Sequence, residues 1–393
     1  VSALKVYVPK AMRDYQLEAL KAALKAKRGI IVMPTGTGKT LVGSTLAVNA
    51  VLRGRRVAVL VPTKVLAEQW AAHFKKWWGL EVGVVHSERR EAARAITVWV
   101  YNSFIKAAAA AGRPLADVII VDEAHHAGAR GLLAVLRAHE GAKIIGLTAT
   151  PRRWDNEGEL LAFMPVVFSM GPGAALARRA LVDFEVRPVP VSLAPREAAE
   201  YAELGRELRR IMAVLSGGGL SPEEERALKD RAARIIQRRK LIAARSESKL
   251  RVAVDLLRRL ALARSRVLVF TEASDVAERL AAQVGGAAIL ASTPRAERER
   301  LLEAWGREFS VLVTCKVLEE GFDVPECSQG VIVATGSGDR QLIQRVGRLL
   351  RPAPGKTRAV VYFVYARGTH EEGAYRRLRR LFRADDARIT SWL

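Results

Sequence analysis

The stretch Met33-Pro-Thr-Gly-Thr-Gly-Lys-Thr40, MPTGTGKT, follows the apolar run Gly29–Val32 and opens a segment of helical period. A strand, a glycine-bearing turn and then Lys-Thr at a helix start is the arrangement in which backbone N–H groups cradle phosphate oxygens. The pattern G-x-x-x-x-G-K-[ST] asks for glycine where Met33 stands. Met33 sits at the mouth of the turn, where a side chain need not block phosphate access. Gly36 and Gly38 let N–H groups of the loop, Thr35 to Thr37 included, turn inward. Lys39 would neutralise β/γ-phosphates, and Thr40 would offer its hydroxyl to Mg2+. The expectation is an ATP site.

A second motif, Val118-Ile-Ile-Val-Asp-Glu-Ala-His-His126, delivers Asp122 and Glu123 at the end of an apolar strand, where α/β sheets bind ligands. Asp122 would hold Mg2+, and Glu123 would orient and deprotonate the attacking water. Neighbouring His125 and His126 have no third ligand at suitable spacing, so zinc is not supported. His125 is expected to link the nucleotide site to its surroundings.

Further strand-sized apolar runs recur between Ala-rich, charge-studded helical stretches: 56–61, 96–100 and 143–147 in the first half, then 266–270, 287–291, 310–314, 330–334 and 358–364. Alternation of this kind predicts parallel sheets covered on both faces. The fold class is therefore α/β, with two tandem parallel-sheet domains at 1–190 and 249–393. Between them, 191–248 reads as a helical hairpin turned at Ser216–Pro222, with no strand pattern. From Arg226 to Arg251 ten basic residues face two acidic ones; this is either a solvated helix face or an arm for nucleic acid.

The 393 residues carry a net charge of +23, which favours a polyanionic partner, nucleic acid ahead of membrane. Two cysteines, Cys315 and Cys327, make neither a disulfide framework nor a zinc site. With only strand-sized apolar runs and no signal peptide, a soluble cytoplasmic protein is expected.

The order of motifs resembles helicase superfamily two. Arg13-Asp-Tyr-Gln16 resembles its adenine-reading Q motif, which implies a base contact for Gln16 beside Arg13. Val61–Trp70, with Thr63 and Lys64, and Thr97–Ser103, with Asn102 and Ser103, resemble its strand-contacting motifs. Leu147-Thr-Ala-Thr-Pro151 resembles motif III, which couples hydrolysis to movement. In the second half Glu320–Pro325 resembles motif V, implying nucleotide contacts for Gly321 and Asp323. Gln344-Arg-Val-Gly-Arg-Leu-Leu-Arg351 resembles motif VI, with Arg348 and Arg351 as arginine fingers beside Gln344. Cys315 stands where many relatives place a hydroxyl against a nucleic-acid phosphate. A thiol is a poor donor, so Thr314 or backbone N–H groups are expected to serve.

The resemblance is closest to XPB-type DNA helicases, above all the short archaeal members, and covers nearly the whole chain. It implies two RecA-like domains around ATP, a thumb at the hairpin, 3′-to-5′ movement on DNA junctions in repair or transcription, and in archaea a nuclease partner. The family's Arg-Glu-Asp loop becomes Arg153-Trp154-Asp155 here. Trp154 would either stack on a base as a wedge or pack internally. Two outcomes stay open: a helicase, or an ATP-gated duplex clamp or translocase needing a partner. An RNA helicase fits the DEAH-H sequence, motif VI and the hairpin less well.

Overall fold

The computed structural model describes residues 6–381 except 129, 150–156, 263–265, 316–326, 335–345, 348, 351–352 and 354. The chain divides into two compact units, with the boundary between Leu181 and Val182.

The first unit is built on eight strands: β1 (Arg28–Val32), β2 (Val57–Val61), β3 (Gly83–His86), β4 (Arg89–Arg90), β5 (Ile96–Val100), β6 (Val118–Asp122), β7 (Lys143–Thr148) and β8 (Val166–Ser169). Their order is β4-β3-β5-β2-β6-β7-β1-β8, and every pair is parallel except β3 with the two-residue β4. Strands β2 and β6 are buried at every position, as continuous β-branched runs in a sheet covered on both faces must be. Connections are helical: α1 (Asp14–Lys25), α2 (Lys39–Val51), α3 (Lys64–Trp78), α4 (Tyr101–Ala111), α5 (Arg130–Ala138), α6 (Glu157–Phe163) and α7 (Pro172–Ala177). Helix α2 is buried from Leu41 to Ala50. One core joins Ile30, Leu60, Ile119, Val121 and Ile144 to Phe104 and Leu136 of the covering helices.

The second unit opens with β9 (Asp183–Val191), then α8 (Pro195–Gly217), α9 (Pro222–Arg245) and α10 (Glu247–Leu262). It continues with β10 (Val267–Thr271), α11 (Ser274–Val284), β11 (Ala287–Ile289), β12 (Val311–Cys315), β13 (Gln329–Ile332), β14 (Arg358–Ala366) and a helix, His370–Leu381. The sheet order is β11-β12-β10-β13-β14-β9, all parallel. Strand β9 corrects the sequence reading, which left 183–190 in the first domain. It pairs with β14 over the full register from Asp183 opposite Arg358 to Val191 opposite Ala366. Its Pro188 and Pro190 lack the N–H a central strand needs, and the sheet accordingly places β9 at its edge.

Helices α8 and α9 pack as an antiparallel pair around Ile211, Ala232 and Ile235. Gly218 and Gly219 take φ of 71° and 81° to turn the chain. Ser221 and Glu224 then cap α9 reciprocally: the Ser221 hydroxyl accepts from Glu224 N (3.3 Å) and the Glu224 carboxylate from Ser221 N (2.9 Å). Among the described residues no helix is long and apolar enough to cross a membrane.

Candidate nucleotide site

The first-half motifs lie at the carboxyl ends of adjacent parallel strands β5, β2, β6, β7 and β1, except Arg13–Gln16, which opens α1. In the phosphate loop, Gly36 and Gly38 take φ of 87° and 84°, the left-handed region glycine tolerates. Met33 needs no such freedom: its side chain is fully buried, and its N–H donates to Thr148 O at the end of β7 (2.9 Å). A glycine at that position would leave a hole in the core rather than a better cradle.

The loop is held from behind by α1. Gln16 Nε2 donates to Thr37 O (2.8 Å), its Oε1 accepts from Arg13 N (2.9 Å), and the Tyr15 hydroxyl also donates to Thr37 O (3.1 Å). A Cβ on Gly38 would lie 2.2 Å from Gln16 Nε2, so glycine is required there by close approach as well as by φ. Gln16 is thus a brace of the loop; Tyr15 shares the task and was missed in the sequence, where a buried tyrosine looks like any core aromatic. The Arg13 guanidinium donates to Arg179 O (2.8 Å). Thr37 braces the loop: its side chain is buried, with the hydroxyl donating to Pro34 O (2.7 Å) and the N–H to the same oxygen (3.3 Å). Thr35, Gly36, Lys39 and Thr40 remain half-buried at the mouth. The Lys39 ammonium reaches across it to Met33 O (3.1 Å) and Pro34 O (3.4 Å).

Asp122 closes β6 with its carboxylate buried. Burial pushes its pKa up; the Trp70 indole N–H, the charge of Lys39 and the Glu123 N–H oppose that shift. Trp70 Nε1 to Asp122 Oδ2 is 2.8 Å and Glu123 N to Asp122 Oδ1 is 2.9 Å. Trp70 lies on α3, the helix opened by Thr63 and Lys64, so one indole joins that helix to the Asp122 carboxylate at the end of β6. Tyr101, at the start of α4, donates to Asp122 O and Glu123 O. Neither aromatic was singled out from sequence.

Glu123 has φ 50° and ψ 48°, a left-handed conformation costly for a residue with a side chain and typical of strained functional positions. Its Oε2 lies 3.3 Å from His125 Nδ1, which is 3.1 Å from the Thr148 hydroxyl. The ring of His125 therefore spans the DEAH motif and motif III, in the linking role read from sequence. Thr40 on α2 and Asp122 on β6 supply the hydroxyl and carboxylate oxygens that suit Mg2+.

For the expected nucleic-acid residues the outcome is mixed. Thr63 caps α3, accepting from Leu66 N (3.4 Å), and Lys64 pairs with Glu88 at 2.5 Å on the surface. Asn102 is exposed and Ser103 half-buried at the start of α4. Thr314 is corrected: it is buried and its hydroxyl donates to Val269 O (3.0 Å), leaving no proton for a phosphate. Arg153, Trp154, Gly321, Asp323, Gln344, Arg348 and Arg351 lie outside the described residues.

Comparison with known proteins bears on the family and the fold. Residues 9–153 match the model for the type III restriction enzyme res subunit, and 248–353 match the helicase conserved C-terminal domain. The DNA 3'-5' translocase XPB2 of Sulfurisphaera tokodaii is 30% identical over 94% of this chain and 84% of its own length. The chain belongs to the XPB family. A second XPB, the DNA 3'-5' helicase of Mycobacterium tuberculosis, is 29% identical over 91% of this chain, which spans 61% of that protein. Among solved structures, the Pyrococcus furiosus Hef helicase domain superposes with a TM-score of 0.63 at 22% identity, over 94% of this chain and 98% of that one. Yeast Dbp5 bound to RNA and ADP BeF3 gives 0.61 at 15% identity, over 96% and 89%. These two likenesses speak for the shared fold of XPB proteins and other helicases.

Proposed function

We propose that this XPB-family chain is an ATP-dependent DNA helicase or translocase moving 3′ to 5′, with Asp122 and Glu123 at its chemical centre. The observation that carries the reading is the chain Glu123–His125–Thr148, which ties the hydrolytic carboxylate to the motif that follows β7. Glu123 is the general base: its strained backbone holds the carboxylate at the strand end, and its contact with His125 couples its position to Thr148. Lys39 and the N–H groups of Gly36 and Gly38 take the charge of the phosphates. Thr40 and Asp122 would hold Mg2+, which would supply positive charge against the charge developing on the phosphoryl oxygens. Gln16 and Arg13 are proposed to approach the adenine, Gly321 and Asp323 the remainder of the nucleotide, and Arg348, Arg351 and Gln344 the γ-phosphate.

For DNA we propose Thr63, Lys64, Asn102, Ser103, Arg153 and Trp154 as contacts; Trp70 and Tyr101 would relay strand movement to Asp122. The +23 charge supports a polyanionic partner. A nuclease partner and a cytoplasmic, nucleoid-associated location belong to the same proposal.

The test is ATP turnover by the isolated chain, alone and with single-stranded DNA, duplex DNA, a fork or RNA. Stimulation by DNA well above that by RNA is the expected result; equal turnover in every reaction would refute a DNA-coupled motor. Strand displacement from the fork then separates unwinding from translocation on intact duplex.

A further inference from the structure

The basic charge of the α8–α9 hairpin is unevenly neutralised. Towards the outside of α9, Arg231 and Arg238 pair with Glu207 and Glu200 of α8 at 2.6 and 2.8 Å, and Lys229 pairs with Glu225 on its own helix. On the face next to the Arg238–Glu200 pair, turned towards the end of β14, the pattern changes. A cavity of about 500 Å3 opens between α8, α9 and the turn that follows β14, lined by Arg206, Arg209, Arg239 and Arg367. Among the described residues no carboxylate lies within 4.0 Å of any of these four guanidinium groups. Glu372, beyond the turn, is engaged by the Gly368 N–H (2.9 Å) and by Arg376 (2.7 Å).

The cavity is built rather than incidental. Tyr201 of α8 is buried, its hydroxyl accepts from His370 N (2.9 Å), and this ties the hairpin root to the end of the sheet. Its ring carries the Arg239 guanidinium at 4.1 Å, fixing the direction of that long side chain. Arg239 Nε is buried with no hydrogen-bond partner. One turn on from Tyr201, Gly205 presents bare backbone: a Cβ there would lie 3.4 Å from Arg239 Nη2 and 3.7 Å from Arg209 Nη1. Two guanidinium groups therefore converge on a residue without a side chain, and a third and fourth line the same space. Arg206, Arg209 and Arg367 are exposed and Arg239 is half-buried with its Nε buried, so the cluster is open to a ligand from solvent; an anion set among converging guanidinium groups offsets their mutual repulsion and meets the unfilled donor. Guanidinium forks match phosphate oxygens in pairs.

We propose that the hairpin root is a phosphate-binding site, in which Arg239 and Arg209, with Arg206 and Arg367 at the rim, hold a phosphodiester group of the nucleic-acid backbone. Only the bearer of the phosphate rests on the DNA reading above; the site itself rests on the arginines. It also divides the labour of the hairpin, the paired outer face giving stiffness and the face towards the end of β14 giving the grip.

The test is binding of duplex DNA to the full chain across a salt series, wild type against the Arg209→Gln/Arg239→Gln double variant. Phosphate contacts at this site predict a log-affinity against log-salt slope shallower by about one to two in the variant. Equal slopes and affinities in two proteins of equal melting temperature would overturn the site. A phenylglyoxal footprint of the wild type, read by mass spectrometry, separates the site from the DNA reading. Duplex DNA should slow modification of Arg206 and Arg367, at concentrations where inorganic phosphate alone has little effect. Protection by phosphate with no binding of DNA would leave the site standing and refute DNA as its ligand. Protection by neither would overturn the site whatever the variants do.

Discussion

Replacing Trp70 by Phe removes one N–H from a buried carboxylate together with part of a buried ring. The indole donates to Asp122 Oδ2 at 2.8 Å, Trp70 is 1% exposed and Asp122 7% exposed, so water cannot easily take over the bond. Hydrogen bonds to charged groups contribute about 1.5–3 kcal/mol, which converts to roughly a ten- to hundred-fold effect. Because burial already pushes the Asp122 pKa up and the Trp70 N–H opposes it, loss of that N–H raises the pKa further. The ionised form, which the metal requires, then becomes rarer at a given pH. Two readings follow from one titration of ATP turnover: the Mg2+ concentration for half-maximal rate rises by about ten-fold or more, and the acid limb of the pH profile moves to higher pH. Phe keeps the contact with the α3 interior, where Trp70 lies beside Phe74 at 5.8 Å between ring centroids. The melting temperature should fall only modestly, since even truncation of a core aromatic to Ala costs about 3–5 kcal/mol. An unchanged Mg2+ requirement together with an unchanged acid limb, in a folded protein, would refute the coupling assigned to Trp70.

Glu123→Gln should lower turnover by about 10²–10⁴-fold while nucleotide and DNA binding persist, as filter or anisotropy binding would check; retained turnover would remove Glu123 as general base. Met33→Gly, which restores the usual loop pattern, should lower stability by about 2–5 kcal/mol in urea unfolding and leave nucleotide affinity no better, because the position is fully buried and bonded to β7. His73 has its pKa pulled down to about 4 by burial, with Lys76 adding to the shift. Its folded pKa lies below the unfolded one, so its contribution is whole above about pH 6.5 and is lost as pH falls towards 4, about 3 kcal/mol in all. The wild type should therefore lose stability across that window, and His73→Gln should flatten that part of the curve; parallel curves would contradict the assignment.

The phosphate loop, the Asp122–Glu123 strand end and the alternation of apolar runs with helical stretches were legible because each depends on residues adjacent in the chain. Parallel strands buried on both faces appear as continuous β-branched runs, and the capped hairpin announces itself through Ser216–Pro222. Sequence alone also determined the membership of the motif set, since order along the chain is all it requires. Strands β3, β4, β8 and β9 escaped: the first three are two to four residues long, β8 with no buried position, and β9 carries two prolines that would exclude it from the middle of any sheet. Tertiary structure decided what depended on approach between distant segments. It put the Gln16 amide against Thr37, 21 residues away, and the Trp70 indole against Asp122, 52 residues away. It buried the hydroxyl of Thr314, which sequence had offered to a nucleic-acid phosphate. It also sorted the arginines of the hairpin into paired and unpaired sets, because a guanidinium is recognised by what stands within a few ångströms of it, and no spacing along one helix states what the next helix will bring.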